Sequence, residues 1–155
     1  MKNQKGFSLV ELLVVVIIIA IVAAIAIPNL LASRRAANEA SAITSLRTIH
    51  SAEATYQALL GNNTKYGTLT DLSGNNLVDP TFTGASVVKS GYTIAASVAA
   101  TTAATYCSSA LPVTAGSTGT RIFGADQNGV IYQGLTAAAP CAAGVLDTAG
   151  GTPIQ

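Results

Sequence analysis

One ionisable residue, Glu11, lies inside a long apolar segment near the N-terminus. Residues 12–27 are all Ala, Val, Ile or Leu. A carboxylate at membrane depth costs a few kcal/mol unless it is paired or lies near the interface. Glu11 follows Phe7 by four residues, so cleavage between Gly6 and Phe7 would place a new ammonium group about one helical turn from the carboxylate. That ammonium could neutralise Glu11 in the same chain or in a neighbouring copy.

The apolar segment has two ordinary interpretations. As a helix, the stretch from Phe7 to Ile27 spans roughly 30 Å, about the thickness of one bilayer core. A secretory signal peptide usually has a shorter apolar region followed by a small-residue cleavage site, whereas this stretch ends at Pro28 and continues into helix-favouring sequence. A simple single-pass anchor is the other interpretation, and the buried acid Glu11 argues against it.

A third interpretation comes from a resemblance carried by the same residues. The short basic leader ending in Gly6, then Phe7, Glu11 and Pro28 in "KG" and "FSLVELLVVVIIIAIVAAIAIPNL" resemble the processing site and N-terminal helix of the type IV pilin and pseudopilin family. The resemblance covers roughly residues 1–60. It is specific because it combines four features at fixed spacing.

This resemblance implies a route from membrane to filament. A prepilin peptidase is expected to cleave after Gly6 and to N-methylate Phe7. The subunit then stays in the inner membrane until an assembly platform with cytoplasmic ATPases adds it to a homo-oligomeric extracellular filament. There the carboxylate of Glu11 is expected to pair with the terminal amine of an adjacent subunit. An unpaired charge in an apolar core is costly, so the pair would fix the register of each subunit.

Residues beyond the apolar segment predict that the helix continues. Pro28 lacks an amide hydrogen and crowds the carbonyl of Ala24, which predicts a kink; the alternative is that the helix simply ends there at the membrane surface. Residues 29–60 contain no Gly or Pro and consist largely of good helix formers. Apolar residues at helical spacing form one predicted stripe: Ala42, Leu46, Ile49, Tyr56 and Leu60.

Basic residues on this helix have ordinary explanations. Arg34 and Arg35 follow the apolar segment and could face lipid headgroups; contact with acids of neighbouring subunits is the alternative. His50 is the only histidine in the chain, and it is expected to be a packed or surface residue.

The remainder of the chain predicts a β-rich head, so the fold class is α+β. Gly61 and the following two asparagines predict the end of the helix. "GYTIAASVA" has the alternation of a half-buried strand, and Asn128-Gly129 between two β-rich runs predicts a tight hairpin. We expect three or four antiparallel strands on the second half of the helix. The predicted organisation is a leader at 1–6, a core helix at 7–28, its amphipathic continuation at 29–60 and a head at 61–155.

The two cysteines, Cys107 and Cys141, lie in this head. They have no nearby histidine for a zinc site, and their spacing is not that of a redox pair. If the head lies outside the cytoplasm, a disulfide is expected and would contribute roughly 3–4 kcal/mol by restricting the unfolded chain; free buried thiols are the alternative. Family pilins often carry such a C-terminal disulfide loop and secretion pseudopilins more often lack it, which favours a pilin.

No pattern in the sequence points to an enzyme, a cofactor or a metal site. Asp126-Gln127-Asn128-Gly129 lacks the further acidic ligands of a calcium loop. The head has only Lys65, Lys89 and Arg121 as basic residues, so no specific nucleic-acid partner is expected. We therefore expect a major pilin that serves adhesion, motility or DNA uptake. A type II secretion pseudopilin, or a minor pilin with a binding head, is the alternative.

Overall fold

The computed structural model describes residues 6–99, 104–138 and 140–154. These residues form two compact units, one up to Arg34 and one from Arg35 onwards. The elements in chain order are α1 (Leu9–Leu59), α2 (Leu69–Gly74), β1 (Ser86–Lys89), β2 (Tyr92–Val98), β3 (Tyr106–Pro112), β4 (Phe123–Asp126), β5 (Ile131–Gln133), β6 (Cys141–Ala142), β7 (Val145–Leu146) and β8 (Thr152–Ile154). The predicted α+β class with a long N-terminal helix and an antiparallel sheet is confirmed.

The first unit exposes an almost entirely apolar helix surface. The large apolar side chains between Phe7 and Leu31 are 49% to 83% exposed. Among the described residues, α1 is the one helix long and apolar enough to cross a membrane, judged by length and composition. Pro28 lies inside α1, so the alternative that the helix ends there is wrong, while the kink stays a prediction.

The part of α1 in the second unit buries one face against the sheet. Ala42, Leu46 and Ile49 are buried, as the predicted stripe requires. Leu60 was expected in the same stripe but is half exposed. The reason is that the amides of both Leu60 and Gly61 donate to the carbonyl of Tyr56, so the helix ends before Leu60 can continue the stripe.

The main sheet has six antiparallel strands in the order β1-β2-β3-β4-β5-β8, and β6 pairs with β7 in a separate ribbon. The prediction of three or four strands was therefore too low. Strand β2 and the hairpin joining β4 to β5 through Asn128-Gly129 are confirmed. Strands β1 and β8 are short, and β8 contains Pro153; proline is tolerated at a sheet edge because it cannot donate to the ladder.

The hydrophobic core lies between the sheet and α1, with contributions from α2 and the segment that follows it. Alternate residues of β2 to β5 point towards the helix, as the period of a strand requires. The buried cluster comprises Ala42, Leu46, Ile49, Ala52, Leu69, Leu72, Val78, Phe82, Tyr92, Ile94, Ala110, Phe123, Ala125 and Ile131. This core positions the head portion of α1 on the sheet.

The opposite face of the central strands is covered by the C-terminal segment. Cys107 of β3 and Cys141 of β6 form a disulfide, so the expected disulfide is confirmed and free thiols are excluded. A Cβ atom on Gly124 of β4 would lie 2.5 Å from Leu146 Cδ1 and 2.8 Å from Leu135 Cδ1. Glycine is therefore required at position 124, because two leucines of the C-terminal segment pack directly on the backbone.

Glu39 fixes α1 to the segment before β4. Its Oε1 accepts hydrogen bonds from the Thr120 amide and hydroxyl, both at 2.9 Å. Its Oε2 accepts from Arg121 Nε at 2.9 Å and forms an ion pair with the same guanidinium. Burial alone would raise the pKa of Glu39, but the hydrogen bonds from Thr120 and Arg121 outweigh burial and lower it.

We predict that Glu39→Gln destabilises the head by about 1–3 kcal/mol at pH 7, because an amide cannot replace the paired carboxylate. The contribution of a carboxylate with a lowered pKa is present above its ordinary value of 4.5 and is lost as pH falls through the lowered value. The difference between wild type and variant in denaturant unfolding should therefore shrink below pH 4.5.

The exposed carboxylate Asp147, which accepts the amide of Ala149, provides the matched control for this experiment. Asp147→Asn should change the free energy of unfolding by less than Glu39→Gln does at pH 7. A wild-type-to-Glu39→Gln difference that stays constant down to pH 3 would contradict the assignment.

Candidate processing and assembly site

The N-terminus of α1 is closed by the side chains of Ser8 and Glu11, each of which accepts one backbone amide. Ser8 Oγ accepts the amide of Val10 at 3.3 Å, and Glu11 Oε2 accepts the amide of Ser8 at 2.8 Å. The Leu12 amide donates to the Ser8 carbonyl at 3.3 Å and closes the first helical turn. Ser-x-x-Glu is the spacing of a capping box, which satisfies amides that the first turn leaves without partners.

This cap gives Glu11 a partner inside its own chain. From the sequence, Glu11 was predicted only to pair with a terminal amine, although the Ser8-x-x-Glu11 spacing is itself a signal for a helix cap. A negative charge in the first turn is also favourable because the helix N-terminus carries a partial positive charge. The carboxylate is therefore oriented by the backbone of Ser8 before any neighbouring molecule is present.

The two residues at the expected cleavage point lie directly before the cap. Gly6 and Phe7 are both exposed, and a Cβ atom added to Gly6 would meet no atom within 4 Å. Packing among the residues that the structure describes therefore does not require glycine at position 6.

Of the other residues singled out in the sequence, His50 and Arg35 lie in the second unit, and Arg34 is the last residue of the first unit. His50 packs under the hairpin turn, with Nδ1 2.5 Å from the hydroxyl oxygen of Tyr106 and Nε2 2.8 Å from the position that a Cβ on Gly129 would occupy. His50 was expected to be a packed or surface residue, and the structure places it in a packed, partly buried position. Arg34 is exposed and Arg35 is half-buried.

The Asp126 turn uses its carboxylate to hold its own backbone. Asp126 Oδ1 accepts the amides of Asn128 and Val130, and Oδ2 accepts from the Asn128 side chain at 3.0 Å. Within the described residues no group of three or more His, Cys, Asp or Glu side chains could hold a metal ion. The geometry of this turn is that of a hairpin connection.

The N-terminal site matches a known sequence motif. Residues 1–27 match the family model described as the prokaryotic N-terminal methylation motif. The chain carries a prepilin-type N-terminus. The resemblance found in the sequence is thereby confirmed for this part of the chain.

Two curated relatives agree with the motif. The chain is 64% identical over 39 residues to the type IV wide pilus major component PilA4 of Thermus thermophilus, which is 25% of this chain and 30% of the relative. It is 38% identical over 52 residues to the type II secretion system core protein G of Vibrio cholerae, which is 34% of this chain and 36% of the relative. The matches therefore span about a third of each relative's length, and no solved structure matches the chain.

The prepilin-type motif and the apolar helix indicate where the protein is located in the cell. Both are properties of an inner-membrane pilin that is later assembled into an extracellular filament, and the expected localisation agrees with them. The relatives divide between a pilus component and a secretion-system component.

We predict that Ser8→Ala weakens the first turn of α1 by about 1 kcal/mol, the usual effect of losing an N-cap side chain. The Val10 amide, which donates to Ser8 Oγ, should then exchange about five times faster with deuterium in detergent micelles. Ser8→Thr keeps the hydroxyl and should behave as wild type. Equal exchange in Ser8→Ala and Ser8→Thr would show that the hydroxyl does not cap the helix.

Proposed function

We propose that the chain is the major structural subunit of a type IV pilus. The observation that supports this most is an exposed apolar helix of membrane length that begins with a capped glutamate inside a methylation motif. Exposed apolar surface of this extent requires lipid or other apolar helices as a partner. A filament core of packed copies supplies the same environment as the membrane.

Processing at Gly6 creates the second half of the assembly site. A prepilin peptidase removes residues 1–6 and methylates the new amine of Phe7, which keeps its positive charge. The exposed position of Gly6, with free space where a side chain would be, supports recognition of the glycine by the peptidase. Mature subunits then wait in the inner membrane for an assembly platform driven by cytoplasmic ATPases.

Glu11 exchanges partners when a subunit enters the filament. In the single chain the carboxylate accepts the amide of Ser8, and in the filament it pairs with the cationic Phe7 amine of the neighbouring copy. A subunit displaced along the axis would bury Glu11 without that amine, at a cost of several kcal/mol. Because the contact is head-to-tail and does not close, it generates a fibre.

The head forms the outer shell of the fibre in this proposal. Residues 7–28 serve as the core helix, residues 29–60 continue it, and residues 61–155 form the head. The Cys107–Cys141 disulfide stabilises a head that faces an oxidising exterior and favours a pilin over a secretion pseudopilin. The pseudopilin remains the second candidate because of the similarity to the Vibrio cholerae protein.

We predict that Glu11→Ala leaves the subunit cleaved and methylated but sharply reduces the yield of sheared fibres. Glu11→Gln separates the two roles of the side chain, because the amide oxygen can still accept the Ser8 amide but carries no charge. Both variants should lose fibres, as measured by mass spectrometry of the sheared fraction against total cellular chain. Normal fibre yield from Glu11→Gln would refute the charge-pairing argument.

We predict that Gly6→Val blocks cleavage and leaves a precursor in the membrane, whose mass still includes residues 1–6. Gly74→Ala is the matched control, because a Cβ at Gly74 also meets no atom within 4 Å and should not affect processing. A mature product beginning at N-methylated Phe7 in both variants would exclude a requirement for glycine. Long surface fibres containing the wild-type chain would separate a pilin from a pseudopilin.

A further inference from the structure

Glu53 is a buried acid that the proposed assembly mechanism does not use. Its side chain, on the head portion of α1, is 0% exposed. Oε2 accepts the amide of Gly67 at 2.9 Å, while Oε1 is buried and has no hydrogen-bond partner among the described residues. A carboxylate in this state is unfavourable when ionised, because burial removes the hydration of its charge.

The ionisable groups around Glu53 do not compensate its charge. Asp71 of α2 is an acid whose charge acts on Glu53, and Tyr106 of β3 is a neutral phenol that interacts with it. The ring of Tyr106 lies 4.7 Å from the ring of Tyr66, measured between centroids, and its hydroxyl group is hydrogen-bonded to a ring nitrogen of His50. Tyr106 also interacts electrostatically with Asp126. Burial raises the pKa of Glu53 to about 7, partly opposed by the Gly67 amide and increased further by Asp71.

The element best able to move away from Glu53 is the connection between α1 and α2. We call Gly61–Thr68 the latch loop. It forms its own turn, in which the amides of Thr64 and Lys65 donate to the carbonyl of Gly61, and its residues 62–65 are exposed. By contrast, β3 is hydrogen-bonded to strands on both sides, so moving it would break the sheet.

Contacts to α1 and to β3 hold the latch loop closed. On α1, the Gly67 amide donates to Glu53, the Asn63 amide donates to the carbonyl of Gln57, and a Cβ atom on Gly67 would lie 3.2 Å from the ring of Tyr56. On β3, the ring of Tyr66 contacts the ring of Tyr106. Among these contacts, the hydrogen bond to Glu53 is the one whose acceptor changes its charge near neutral pH.

We propose that Glu53 acts as a pH-sensitive latch: while it is protonated the latch loop stays closed on α1, and its ionisation opens the loop so that water reaches the carboxylate. The direction of the pH dependence of stability follows from the raised pKa of Glu53. A group with a raised pKa contributes stability that is fully present below its ordinary value of 4.5 and is lost as pH rises through about 7. Opening therefore occurs on the alkaline side of neutrality.

The test measures hydrogen exchange in the full-length chain in detergent micelles. Protection factors, corrected for the intrinsic pH dependence of exchange, are compared at pH 5 and pH 8.5 for the amides of Gly67 and of residues in β3. We expect protection of Gly67 to fall about tenfold or more at the higher pH while β3 stays protected, as in local opening. In parallel, the carboxyl carbon shift of Glu53 should titrate with the same midpoint.

Glu53→Gln provides the matched variant, because its amide oxygen can accept the Gly67 amide but cannot ionise. Protection of Gly67 in this variant should be the same at both pH values. The proposal fails if the wild-type carboxyl does not titrate between pH 5 and 8.5, if it titrates while Gly67 protection is constant, or if the Glu53→Gln loop still opens. The first two measurements use the wild type alone, so they decide the matter even if the variant folds poorly.

Discussion

Hydrogen bonds from backbone amides to carboxylates hold both helices and several turns of this chain in place. All seven acidic residues accept at least one such bond. Five act locally, at helix caps and turns, and two join α1 to distant segments. The acceptor and donor pairs are Glu11 with Ser8, Asp71 with Thr68, Asp79 with Thr81, Asp126 with Asn128, Asp147 with Ala149, Glu39 with Thr120 and Glu53 with Gly67. With only 10% charged residues, the chain uses its acids as anchors for the backbone.

The two long-range anchors on α1 have opposite electrostatic character. Glu39 receives two groups of Thr120 and the guanidinium of Arg121, so its ionised form is favoured. Glu53 receives one amide and faces another acid, so its neutral form is favoured. The head therefore loses stability at low pH, as Glu39 becomes protonated, and at high pH, as Glu53 becomes ionised. Both groups lie on the same helix.

Local features were predictable from sequence, and features that depend on distant partners were not. The helix end at Gly61 and the turn at Asn128-Gly129 depend on residues within a few positions, and both were found. Strands β1, β3, β6, β7 and β8 were not located in the sequence, because their pairing with neighbouring strands, and not their hydrophobicity, defines them. The burial of Glu39 and Glu53 could not be inferred, since their partners lie 81 and 14 residues away. The cap formed by Ser8 could have been predicted from the Ser-x-x-Glu spacing, but Glu11 was interpreted only through its charge.

The disulfide between β3 and the C-terminal ribbon also determines how the head responds to tension. A pull applied between α1 and the C-terminus would pass through the covalent bond and bypass the 34 positions that separate Cys107 from Cys141. At about 3.4 Å per residue, a segment of that length would otherwise add ~110 Å when drawn out. Strands β4 and β5 lie inside the bypassed loop and bear no load along their backbone. The disulfide therefore limits how far the head can lengthen after its non-covalent contacts have failed.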